Sequence, residues 1–120
     1  MLILPLAAGY AMPDTPSVED KIIALKHSYI RSLPDKFLEI NRHWQHSKTQ
    51  HSFSDKCFEA SLHKLAGSAG MYDEAALGEL CRSLELMAAG VAQAIDTNTI
   101  RQLESGLLQL DKMISDLLKQ

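Results

Sequence analysis

The chain has 120 residues, 46% hydrophobic and 22% charged, with a formal net charge of −3. That suffices for one core and is too apolar for a disordered chain. It offers none of the basic stripe that nucleic-acid binding requires.

Met1 to Tyr10 is apolar, but it lacks the cationic start of a signal peptide and is too short to span a membrane. Pro5, Gly9, Pro13 and Pro16 interrupt regular structure, so residues 1–16 read as an irregular extension or linker lying against a domain at 17–120. Helical periodicity runs through the rest, and an all-α fold is expected. Ser17 and Asp20 have capping-box spacing. They open a helix with the stripe Ile22, Ile23, Leu25, Tyr29, Ile30 and Leu33. Pro34 is expected to end or kink it and to start a second helix, through Phe37, Leu38, Ile40, Asn41 and Trp44 to about Lys48.

The polar run His46 to His51 predicts a loop. Ser52 and Asp55 repeat the capping spacing and open a third helix, buried along Phe58, Leu62, Leu65 and Ala69. A turn at Gly70 to Asp73 leads to a fourth, lined by Leu77, Leu80, Cys81, Leu84, Met87, Ala88 and Val91. Asp96 or Thr97 caps the last helix. Its apolar positions Ile100, Leu103, Leu107, Leu110, Ile114 and Leu117 alternate spacings of three and four, the seam of an antiparallel bundle. The expected architecture is an antiparallel four-helix bundle preceded by an additional N-terminal helix.

The run His63-Lys64-Leu65-Ala66-Gly67-Ser68-Ala69-Gly70 stands out. At about 100° per residue, Glu59, Ala60, Ala66, Gly67 and Gly70 share the face of His63, which lies off the core line. Apart from Glu59, nothing there exceeds a methyl group. Each interior glycine costs a helix about 1 kcal/mol relative to alanine. Two beside one imidazole suggest that a bulky partner must reach the ring.

Other chemistries lack their motifs. There is no GxxxxGK[ST] or GxGxxG for a nucleotide, no GxSxG elbow, and no paired ExxH for a di-iron centre. His43 and His46 stand three apart without further ligands at suitable spacing and read as solvated. Cys57 and Cys81 fit neither CxxC nor a paired zinc pattern, and read as reduced core residues of a cytoplasmic protein. Trp44 reads as a packing residue. An exposed imidazole is mostly neutral, and so nucleophilic, at cellular pH. Phosphoryl transfer asks mainly for positioning and charge stabilisation, which a partner's active site can bring to a histidine on a rigid helix.

The segment Leu62-His63-Lys64-Leu65-Ala66-Gly67-Ser68-Ala69-Gly70, with Leu77, Leu80-Cys81 and Leu84-Glu85 downstream, resembles the histidine-containing phosphotransfer (HPt) domain of bacterial multi-step phosphorelays. Tyr29 to Pro34 and Phe37 to Ile40 resemble that family's helix–Pro–helix entry, and the likeness covers about residues 18–118. It implies phosphorylation of His63, supported by Lys64, Gly67, Ser68, Gly70 and Glu85. Gly67 would give the phosphoryl group space, and Glu85 would orient the ring through Nδ1. It also implies a carrier rather than an enzyme, exchanging the phosphoryl group between a hybrid sensor kinase and an aspartate of a response-regulator receiver domain.

No cofactor or metal of its own is expected, magnesium belonging to the receiver. A cytoplasmic monomer without nucleic-acid or membrane partners is expected. The family's usual lysine three residues after the histidine is replaced by Ala66, for which Lys64 is an imperfect substitute; restoring that lysine is expected to alter phosphohistidine lifetime or transfer rate. Asp73 replaces a frequent turn glycine. Two other readings stay open: a never-phosphorylated helical adaptor that docks a signalling partner through the His63 patch, and a metal-binding bundle.

Overall fold

A computed structural model describes residues 17–50, 52, 53 and 56–120, so the expectations for residues 1–16 and Asp55 fall outside the described residues. The described part holds four helices and no strand: α1 (Val18–Gln50), α2 (Cys57–Met71), α3 (Ala75–Gln93) and α4 (Thr97–Leu118). They form a bundle in which α1 packs on α2, α2 on α3, α3 on α4, and α4 back on α1.

The helix does not end at Pro34. Pro34 lies inside a single 33-residue helix, so the expected additional N-terminal helix is the first half of α1. An interior proline costs about 3 kcal/mol. Tyr29, Leu33, Ile40 and Trp44 are buried on both sides of it. At about 1.5–3 kcal/mol for each large apolar side chain, their burial outweighs the proline. The same helix overruns the expected loop, reaching Gln50.

The start of α1 carries the expected reciprocal cap. Asp20 N donates to Ser17 Oγ at 3.0 Å, and Ser17 N to Asp20 Oδ2 at 3.4 Å. Its first apolar positions were expected in the core, yet Ile22, Ile23 and Leu25 are each more than half exposed, as is Leu38. The core begins at Tyr29, because no other described helix covers the first turns of α1.

Helix α2 begins at Cys57, not at Ser52, and Lys56 precedes it without a side-chain cap. Its stripe Phe58, Leu62, Leu65 and Ala69 is buried. Trp44 stacks obliquely on Phe58 and Phe53, with centroids 5.0 and 5.8 Å apart. Its indole N–H donates to Glu104 of α4, which also accepts from Lys48.

The α2–α3 turn closes when Glu74 N donates to Ala69 O at 2.8 Å. Asp73 takes the left-handed region there at φ 62°, where aspartate is among the better-tolerated residues after glycine. Asp96 caps α4 by accepting from Asn98 N and the Thr99 hydroxyl.

Candidate functional site

His63 sits on the outer face of α2 with its side chain 76% exposed, opposite Glu85 of α3. Glu85 Oε2 lies 2.9 Å from His63 Nδ1. A carboxylate only accepts, so the pairing places the imidazole proton on Nδ1 and the lone pair on Nε2. Glu85 is 24% exposed, so its carboxylate is better held than the ring it faces.

The pairing follows from how closely α2 and α3 approach. A Cβ added at Gly78 would lie 3.3 Å from the Ala66 carbonyl oxygen, 3.5 Å from Ala69 Cβ and 3.9 Å from Gly70 N. Glycine at 78 therefore lets α3 lie against the α2 backbone near Gly70. Seven residues make about two helical turns and return a side chain to the same face. Gly78 and Glu85 are seven apart on α3, as are Gly70 and His63 on α2. In this hairpin of short connection, one close contact at the glycines sets the other between the imidazole and the carboxylate.

The small residues around His63 divide into two kinds. Gly67 and Gly70 are exposed, and a Cβ added at either meets nothing within 4 Å. Ala60 is exposed as well. Ala66 is only 4% exposed and belongs to the core, so it does not form part of the open surface expected around His63.

Lys64 is exposed beside His63. An open hollow of about 390 Å³ is lined by Lys56, Glu59, Ala60, His63, Lys64 and Glu85. Ser68 lies elsewhere. Its hydroxyl donates to Leu65 O and lies 2.8 Å from the Tyr29 hydroxyl. Burial raises the Tyr29 phenol above its ordinary value, so it remains a donor, and its ring stacks on Tyr72 at 4.3 Å. Ser68 thus ties α2 to α1.

The remaining candidates do not join the site. His43 is half-buried and His46 exposed on α1, and among the described residues no three His, Cys, Asp or Glu side chains are grouped to hold a metal. Cys57, expected in the core, is exposed in the first turn of α2 because the helix starts there. Cys81 is buried, and that burial pushes its thiol up to about 12. Sequence reasoning passed over Lys56, although its place seven residues before His63 already puts both on one helical face. It also passed over Gly78, whose neighbour across the interface is visible only once α2 and α3 are packed.

Comparison of the chain with protein-family models, curated proteins and solved structures finds no match.

Proposed function

We propose that His63 accepts a phosphoryl group and passes it on, as histidine-containing phosphotransfer domains do. The observation that carries this reading is the His63–Glu85 pair at 2.9 Å on an open face. It leaves Nε2 as the nucleophile, on the helix face that also carries the exposed Gly67 and Gly70, where an added Cβ meets nothing within 4 Å. In the forward step the Nε2 lone pair attacks the phosphorus of a receiver phosphoaspartate. The N–P bond forms as the acyl P–O bond breaks, and that electron pair leaves with the aspartate carboxylate. The proton stays on Nδ1, where the Glu85 carboxylate opposes the positive charge that develops on the ring. Transfer to the next aspartate is the same step reversed.

The chain is then a carrier on an antiparallel four-helix scaffold, and the receiver supplies its own metal and electrostatics. The partners are receiver domains and the hybrid sensor kinase upstream, met as a monomer in the bacterial cytoplasm. The test is incubation with a panel of phosphorylated receiver domains from the source organism. A base-stable, acid-labile adduct on His63, absent from His63→Gln, is expected. An intact protein that takes no label from any phosphorylated receiver, yet still binds one, establishes the unphosphorylated adaptor instead.

A further inference from the structure

We infer that Lys56, together with Lys64, binds the phosphoryl group carried by His63. The inference rests on the phosphotransfer reading and concerns where that site obtains its positive charge. A phosphoryl group brings nearly two negative charges at neutral pH. Among the described residues, the hollow in front of His63 is lined by two carboxylates, Glu59 and Glu85, and by the cations Lys56 and Lys64. Glu85 is matched by the Nδ1 proton of His63. An incoming dianion would also meet the charge of Glu59 unless the lysines offset it. Ala66 contributes nothing here, being neutral and buried against α3.

Helix geometry favours Lys56 over Lys64. Side chains on a helix lean toward its N-terminus, and His63 shares the hollow with Glu59 and Ala60 of the preceding turn and with Lys56. Lys56 stands seven residues earlier, just ahead of the first turn of α2, where the helical spiral continued backward sets it about 20° from His63, whereas Lys64 is about 100° away. The axial gap of about 10 Å is shortened from both sides, by the leaning ring and by the four-carbon stem of lysine. Lys56 is exposed. A cation outside the histidine motif thus takes the place of the one missing at Ala66.

The experiment follows phosphorylation by potassium phosphoramidate, read residue by residue with peptide mapping at neutral pH. In this reaction the Nε2–P bond forms and the P–N bond breaks, its electron pair leaving with ammonia. The intact chain is compared with Lys56→Gln, Lys64→Gln, the double variant, Lys56→Arg and His63→Gln, with exposed His27 on α1 as internal reference. Lys56→Gln is expected to slow modification of His63 about three- to tenfold, the loss of one charge-assisted contact. It should weaken the salt dependence and leave His27 unchanged. Lys64→Gln should do less, and Lys56→Arg should restore the rate.

Equal circular dichroism and melting temperature would establish that the variants fold alike. Wild-type rates at His63 in both Lys56→Gln and the double variant would overturn the inference while leaving the phosphotransfer reading standing. A wild-type chain modified at His27 but never at His63 would remove both.

Discussion

Replacing Gly67 with alanine should move stability and function in opposite directions. Gly67 lies in the interior of α2, is exposed, and has nothing within 4 Å of the position a Cβ would take. The substitution therefore carries no packing term. What remains is the backbone entropy that glycine loses in a helix, about 0.8–1 kcal/mol relative to alanine. For a domain of this size that corresponds to a rise of about 3–8 °C in melting temperature. If the open face admits a partner's phosphoryl group, each added atom at 67 costs transfer rate. Gly67→Ala should melt higher while accepting phosphoryl groups more slowly from a receiver. Gly67→Leu should keep the fold and lose most transfer. The assay pairs thermal melting with rapid-quench phosphotransfer on the same samples. A Gly67→Leu protein that folds normally and transfers at the wild-type rate refutes the clearance argument. A Gly67→Ala protein that melts lower refutes the empty-space geometry.

Ala66→Lys places a long cationic side chain where α2 meets α3, at a residue only 4% exposed. Overpacking of about 1–3 kcal/mol should appear in urea denaturation, and an unchanged midpoint would mean that the interface has room. The effect of that lysine on phosphohistidine lifetime has to be read beside this loss. Glu104 is held below the usual carboxylate range chiefly by the hydrogen bond from Lys48, helped by Trp44. A depressed folded value contributes stability above the ordinary glutamate pKa of about 4.3 and loses it as pH falls through the depressed one. With the Glu104 side chain 42% exposed, the contribution stays under about 1 kcal/mol. Glu104→Gln should flatten the acid limb of stability below about pH 5, and an unaltered limb would count against the pairing. Cys81 is buried with its thiol at about 12, so in a Cys57→Ser background a disulfide reagent at pH 8 should react only as fast as the bundle opens. Immediate stoichiometric reaction would contradict that burial.

Local pattern alone determined a good deal here. The apolar stripes of α2, α3 and α4 repeat at helical spacing, and each turned inward because burying one face is the only way such a helix is stable. The caps at Ser17 and Asp96 were legible because a side-chain oxygen two or three residues from a free N–H acts locally. The outward position of His63 followed from angle alone. Packing decided the rest. Pro34 stayed within one helix because burial at Leu33 and Ile40 outweighed a local penalty. Ile22, Ile23 and Leu25 share the periodicity of core residues, and only the lack of a covering helix left them exposed. Ala66 and Gly67 are adjacent small residues that periodicity placed together. The close approach of α3 at Gly78 buried the first and left the second in open space, and the same approach brought Glu85 to Nδ1 of His63.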